Sequence, residues 1–519
     1  MMTRRHFLRL AGGAAGATFL LPGWGAKSHP LKSSVFPALE AHEEPSPLGL
    51  ATSLSREYSY EARIEGTIPE ELRGILYRNG PGLFERGDFR KRCILDGDGM
   101  VQSFRFTDRG VHFRSKFPRT EKFSEEEAAG VYRYATWTTV APKGGFYNLF
   151  GRKVLNQAGV SVVVRNGRLY TFDESVQPYE LDPDTLETIG LSHLGLPEEP
   201  PVVFSAHSKI DRHTGEWLHF GVLYRMRNTV HLTTFDRDGR LKRHRTLPMP
   251  RDNYIHDFFV SDRHIILNLQ PVRKSIFRYL FGKASFAESL RWKPEEGNLI
   301  LVLGREGDTE PIRLMTEASW MWHSLNAYEE GDDIIAEFAG YENPDHFIGR
   351  DPALYAIMSG RVERNSYPGA VRRYVINPKR KTIRQEILDR GTHEFPIVNP
   401  HHSCHRHRYG YFAKGATPSE LFWSSIVRID MDTGKTEGYD FGKGLYCTEP
   451  IFAPRPGFLY SPGSKDEPGW LLTEIYNGKT KRSLLAVLRA DHVTDGPVAM
   501  VHLRHHVPFS FHGCWHPAS

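Results

Sequence analysis

Four histidines lie far apart in the chain, each inside a short apolar or strand-like phrase: FSAHSKID around His207, YIHDFF around His256, MWHSLNAYEE around His323 and FSFHGCW around His512. An imidazole in an apolar setting needs a partner for both ring nitrogens. Four of them, from four separate elements, can meet around one metal ion. Neutral imidazole suits iron, copper, nickel or zinc rather than calcium or magnesium. Four uncharged ligands leave the full dication charge on the metal, and an octahedral ion held this way keeps room for dioxygen or water. Each ligating ring is oriented through its other nitrogen, usually by a carboxylate. Glutamates in strand phrases are the natural suppliers: Glu174 in YTFDES, Glu394 in THEFPIVNP and Glu449 in CTEPIFAPRPG.

Other constellations compete less well. HHSCHRH brings His401, His402, Cys404, His405 and His407 close in sequence, but alternate residues of a strand face opposite sides, so at most half could converge. Cys93, Cys404, Cys447 and Cys514 form no CxxC pair; they read as buried small hydrophobes with at most one disulfide, and a structural zinc site is not supported. No GxSxG elbow occurs, so Ser-His-Asp hydrolysis has little support. RNGPG at Arg78 to Gly82 and DGDGM at Asp96 to Met100 lack the lysine and strand-to-helix setting of a phosphate loop, and read as tight turns.

The elements that must position the histidines are strands. VVVRNGRLYTF at Val162 to Phe172 sets an Asn-Gly turn between two apolar, β-branched runs, a strong hairpin signal. LDPDTLE, IDRHTGE, FDRDGR and IDMDTGK each put Asp with Gly or Thr between extended segments, and EEGDDIIAEF and RHRYGYFA follow the same grammar. An all-β chain of 519 residues with short strands must close its sheets or repeat them radially. A β-propeller is the economical solution, with one wide barrel as the competitor, and its axis is where inner strands of several blades bring distant histidines together. Two segments break the pattern. Tyr132–Gly151 is aromatic and glycine-rich, while Arg273–Phe286 places Ile276, Phe277, Leu280 and Phe281 on one helical face. Each reads either as a core-packing insertion or as an apolar rim that meets a bilayer.

Residues 1–40 are expected to be a twin-arginine export signal and polar linker, since TRRHFL is followed by AGGAAGATFLLPG. That implies a bacterial host and a periplasmic or extracellular address, with membrane association open. Residues 41–519 read as a single domain. The balance of 67 Lys+Arg against 62 Asp+Glu shows no face-forming basic run, so no nucleic-acid partner is implied.

From about Leu48 onward the chain resembles the carotenoid cleavage oxygenases, a family that includes apocarotenoid oxygenases and lignostilbene dioxygenases. The phrases that carry the resemblance are LRGILYRNGPG, LDGDGMVQSFRF, FPRTEKF, YELDPDTLET, SAHSKIDRHTGE, IHDFF, WHSLNAYEE, EFPIVNP, TEPIFAPRPG and FHGCW, in family order. The resemblance implies a seven-bladed β-propeller under a cap of loops and short helices. It implies one Fe(2+) per chain held by His207, His256, His323 and His512, with Glu174, Glu394 and Glu449 orienting the ligands. The implied reaction is scission of a conjugated C=C bond by dioxygen to give two carbonyl products. The substrate is a carotenoid or apocarotenoid, which needs a long apolar tunnel and membrane access through Tyr132–Gly151 and Ile276–Phe281. The alternatives are a phenolic stilbenoid, whose polar end Lys122 and a nearby tyrosine would read, and a non-catalytic propeller that binds a lipophile.

Overall fold

One local device recurs through the chain and shapes it. Asp182, Asp211 and Asp236 each follow a strand and Asp430 ends one, and each accepts backbone N–H hydrogen bonds through Oδ1 from residues two to four positions on: Asp184 and Thr185, His213 and Thr214, Asp238 and Arg240, Asp432 and Thr433. The side chain substitutes for a backbone turn and sends the next strand back antiparallel. At Asn166-Gly167 both residues take positive φ, 51° and 73°, as a two-residue hairpin requires; Arg165 pairs with Arg168 across it.

In the computed structural model, residues 31–32, 45–142, 155–224, 227–251, 253–275, 284–349, 352–362, 368–417 and 420–518 are described. Their hairpins assemble into seven antiparallel blades around one axis, the expected all-β propeller. Blade 2 runs outward from Ser161–Arg165 to Thr188–Leu191, and blade 3 from Ser208–Ile210 to Leu241–Pro248. Blade 4 begins at Phe259–Val260, blade 5 at Trp320–Glu330 and blade 6 at His393–Ile397. Blades 1 and 7 are built from both ends of the chain. The strand His512–Pro517 adds to Gly74–Leu83 at the inner edge of blade 1, while Arg63–Gly66 adds to Pro497–His502 at the outer edge of blade 7. This double exchange closes the ring and removes the two edges that an open fan of sheets would expose.

The core is divided among the gaps between blades. Leu72, Leu76, Phe104, Leu485, Trp470 and Trp515 fill the gap between blades 7 and 1; Phe259, Ile266, Met321, Phe338 and Tyr374 fill that between blades 4 and 5. The helix Glu121–Ala129 is capped by Thr120, whose side chain accepts from the Phe123 N–H, and ends at Gly130 in the left-handed region. The short helices Phe286–Ser289 and Ala353–Ala356 lie in loops that cover one end of the axis, where Trp137, stacked on Phe286, and Leu354 line a central cavity.

Several expectations need correction. RNGPG is not a tight turn: Arg78 to Gly82 continue the strand Gly74–Leu83, where Gly80 has room for no Cβ against the Phe509 carbonyl at 2.7 Å. DGDGM straddles a 3₁₀ turn at Ile94–Asp96 and the start of the strand Asp98–Thr107. Arg273 and Lys274, which open the segment expected to be helical, lie in the strand Val272–Lys274, paired with Leu290–Trp292; Ile276, Phe277, Leu280 and Phe281, expected on the helical face, lie outside the described residues. The described part of Tyr132–Gly151 turns inward, with Tyr132, Tyr134 and Val140 buried, because the cap packs on the blades there; residues 143–151 lie outside the description. So does the expected signal, apart from residues 31–32. All four cysteines are free.

Leu76 is fully buried in the gap that the chain ends close. Leu76→Ala is expected to cost ~2–5 kcal/mol, read as a lowered urea midpoint, with metal content of the folded fraction unchanged.

Candidate metal centre

The innermost strands converge at the axis, and the histidines sit where those strands begin. His207 immediately precedes Ser208–Ile210 of blade 3, His256 precedes Phe259–Val260 of blade 4, and His512 opens the last strand in blade 1. His323 lies inside Trp320–Glu330, where the pairing register slips between Met321 and Ser324. Such a bulge re-aims a side chain that regular alternation would send into a blade gap. One ring nitrogen from each of the four histidines lies within 4.8 Å of the other three. His207 Nε2 stands 3.0 Å from His256 Nε2. Among the described residues, no other group of three or more His, Cys, Asp or Glu brings donor atoms together in this way.

The glutamates come from the remaining three blades. Glu394 Oε2 lies 2.6 Å from His323 Nδ1, Glu449 Oε1 2.9 Å from His512 Nδ1, and Glu174 Oε1 2.7 Å from His256 Nδ1. Each carboxylate therefore takes the nitrogen that points away from the axis and leaves Nε2 facing it. His207 has no carboxylate beside it among the described residues. Glu394 owes its aim to a second bulge, where pairing slips between Glu394 and Ile397 and Phe395 adopts φ 51°; the Phe395 ring then stacks on His323 with centroids 5.2 Å apart.

These contacts shape the proton affinities. Burial, reinforced by the neighbouring imidazoles of His256, His512 and His323, holds the His207 pKa well below its ordinary value. Burial also lowers that of His512 although Glu449 opposes it. At His323 burial works in the same direction, but the Glu394 carboxylate outweighs it and the pKa rises. Glu394 in turn is held below the usual carboxylate range, since the His323 contact overcomes the effect of burial.

Residues that the sequence reading passed over complete the support. Arg78 is wholly buried and spans Glu449, Thr448, Glu474 and Ser510: Nη1 donates to Glu449 Oε2 at 3.2 Å, Nη2 to Thr448 Oγ1 at 2.9 Å, and Nε to Ser510 Oγ at 3.2 Å and to Glu474 Oε2 at 3.4 Å. The signal was present as a charge inside the apolar run GILYRNGPG. Tyr254 Oη is 2.8 Å from His256 Nδ1. Lys209 pairs with buried Asp257 at 2.9 Å, and Asp257 accepts from the Ser324 N–H next to His323.

On the capped side, the His256, His323 and His512 rings face a cavity with about 910 Å³ of empty space, part of it open to solvent, walled by Leu95, Trp137, Val160, Leu354, Leu421, Trp423, Phe509 and Phe511. Lys122 is not among its lining residues. The lysine is buried in ion pairs with Asp98 at 2.5 Å and Glu126 at 2.8 Å, so the expected role of reading a substrate's polar end does not fit it. The HHSCHRH histidines do not converge either, because each finds its own partner: His402 with Glu467, His405 with Asp211, His407 with Glu337, and His401 stacked on Tyr460.

A propeller whose axis gathers four imidazoles backed by carboxylates, beneath a capped apolar cavity, defines a narrow class. The family model described as retinal pigment epithelial membrane protein matches residues 51–517, and the chain belongs to that carotenoid oxygenase family. It is an oxygenase. It is 33% identical to the apocarotenoid-15,15'-oxygenase of Synechocystis over 89% of this chain and 94% of that one, and 27% identical to the isoeugenol monooxygenase of Pseudomonas nitroreducens over 88% and 95%. Among solved structures, the cobalt-substituted Synechocystis apocarotenoid oxygenase superimposes with a TM-score of 0.84 at 31% identity, covering 91% of this chain and 98% of that one.

Arg78→Met removes the buried counter-charge shared by Glu449 and Glu474, so a loss of ~3–5 kcal/mol in stability is expected in denaturant titration. Metal binding requires neutral imidazole. His323, the ring whose pKa is raised, is expected to protonate first, so cobalt affinity falls as pH drops from 7.5 toward 5.5 in an anaerobic spectroscopic titration.

Proposed function

We propose that the protein cleaves a conjugated C=C bond of a carotenoid or apocarotenoid with dioxygen, giving two carbonyl products. The observation that carries this reading is the convergence of four Nε2 donors at the floor of a large apolar cavity. The donor set fits a ferrous ion: His207, His256, His323 and His512 supply four neutral ligands, and the carboxylates of Glu174, Glu394 and Glu449 fix three of the rings from behind. When bound, iron supplies the binding and activation of dioxygen that a closed-shell metal such as zinc does not.

The chain's own residues do the rest. Leu421, Trp423, Phe509 and Phe511 exclude water and offer apolar surface to a polyene. Phe395 and Trp322 wall the approach to His323 and limit which bond of the substrate lies over the Nε2 atoms. Each carboxylate keeps its imidazole from turning, so the donor atoms stay aimed while substrate enters. In the overall balance both atoms of dioxygen end in the two carbonyl groups, and no outside reductant is consumed.

A stilbenoid substrate is the second reading, favoured by relatives named for phenolic alkenes, the isoeugenol monooxygenase and the resveratrol cleavage oxygenase of Aspergillus fumigatus. We further propose export through the twin-arginine signal in residues 1–40 to the periplasm or beyond, and membrane contact through residues 143–151 and 276–281. Fusing residues 1–40 to a reporter tests the first, and liposome flotation of the full chain tests the second.

The deciding experiment is a panel of apocarotenals, carotenes and hydroxystilbenes offered to iron-loaded protein under heavy-isotope dioxygen. Label in both carbonyl products supports the reading; unlabelled products point to an isomerase or hydrolase, and tight binding with no product to a lipophile carrier. His323→Ala is expected to abolish iron retention and turnover, whereas Glu449→Gln weakens metal affinity by ~10–100-fold.

A further inference from the structure

The four histidines stand between two voids, of which the capped cavity is one. The other has about 1100 Å³ of empty space, part of it open to solvent, and inner residues of all seven blades line it, from Val163 in blade 2 round to Trp515 in blade 1. It is therefore the axis of the ring on the side away from the cap. It begins at His207, His323 and His512 and reaches Arg212, Pro400 and Ser403, which follow the ends of the inner strands of blades 3 and 6. Arg212 is exposed, so this far end opens to water.

The two voids offer a cation different surroundings. The capped cavity leads past Trp137, Leu354, Leu421, Trp423 and Phe509, and a dication that sheds its water against such a wall meets a large desolvation cost. Along the axis, the hydroxyls of Ser208, Ser324 and Ser403 and the carboxylates of Asp257 and Glu449 interrupt the apolar lining. The ammonium on this wall, Lys209, is matched by Asp257 at 2.9 Å. Arg212 sits at the mouth, where salt screens its charge.

The ligand rings differ in the same sense. His256, His323 and His512 have glutamate oxygens at 2.7, 2.6 and 2.9 Å from Nδ1. The Nδ1 of His207 has no hydrogen-bond or ion-pair partner among the described residues, and it is not among the polar atoms sealed from solvent. His207 is partly exposed and lines the axial void but not the capped cavity. Three rings are thus held in aim by carboxylates, while the fourth turns toward the axis without losing one.

We propose that the axial void is the route by which the metal site is filled and emptied, and that His207 is the ligand that yields to open it. This deepens the reading of the four histidines as a metal centre, on which it rests, by separating the path of the ion from that of the substrate.

The test follows cobalt by its visible absorption, without oxygen, into the metal-free full chain and out of the loaded chain into excess chelator. Val163→Trp in blade 2 and Ser403→Trp near the mouth narrow the axial void. A barrier on the route slows both directions by one factor, so each variant is expected to slow uptake and release ~10-fold with Kd kept within ~2-fold. Leu354→Trp, which narrows the capped cavity instead, is expected to leave both rates within ~2-fold of wild type. Unchanged rates in the axial variants overturn the inference, as does equal or greater slowing in the Leu354 variant. Should neither axial variant fold, as judged by circular dichroism, the wild type decides. In the proton spectrum of the cobalt-loaded protein, one shifted ring N–H signal, that of His207, is expected to vanish in heavy water while three persist; any other pattern overturns the inference. A wild-type chain that takes up no cobalt would sink the metal centre itself, and the route with it.

Discussion

Everything in this molecule depends on holding four uncharged imidazoles with their Nε2 atoms within 4.8 Å of one another. No single hairpin can do it, since side chains on one strand face alternate sides. A closed ring of blades can, because each inner strand starts at the axis and needs to deliver only one residue. The work is shared out completely: blades 1, 3, 4 and 5 deliver His512, His207, His256 and His323, and blades 2, 6 and 7 deliver Glu174, Glu449 and Glu394 in the order 2, 7 and 6. Closure by both chain ends matters for the same reason, because His512 belongs to the very strand that completes blade 1.

The polar groups behind the histidines turn a meeting place into a rigid site. Three carboxylates take the outward nitrogens, and buried Arg78 then ties Glu449 to Glu474 and Thr448 across the junction of blades 1 and 7. Such a network is affordable only when nearly every member is satisfied, since an unpaired charge in a low dielectric is costly. It also explains the two bulges, at His323 and at Glu394, which sit opposite each other and aim one hydrogen-bonded pair. The apolar slices between blades carry the stability and leave the axis free for chemistry.

The turn grammar made much of the fold legible. Asp-containing turns and the Asn-Gly hairpin act through local hydrogen bonds and local φ, so they could be read before any packing was known. The four histidines were legible because an imidazole in an apolar strand phrase is conspicuous, and the three glutamates because the ordered family phrases surround them. Arg78 was missed: its neighbours Asn79 to Gly82 look like a turn, and only pairing with Asp98–Thr107 and His512–Pro517 holds them extended. Lys122 was misplaced because a lysine beside aromatic residues reads equally as a ligand contact or a buried ion pair; the positions of Asp98 and Glu126 decide between them.

By itself the sequence determined the class of chain, the strand-and-turn rhythm, the family and the donor types available to a metal, since all of these rest on residue identity and short-range geometry. The tertiary structure alone decided which nitrogen of each ring faces the axis, which carboxylate serves which histidine, and that the HHSCHRH histidines disperse to separate partners. Those outcomes depend on distances between residues tens to hundreds of positions apart, and only closure of the ring sets those distances.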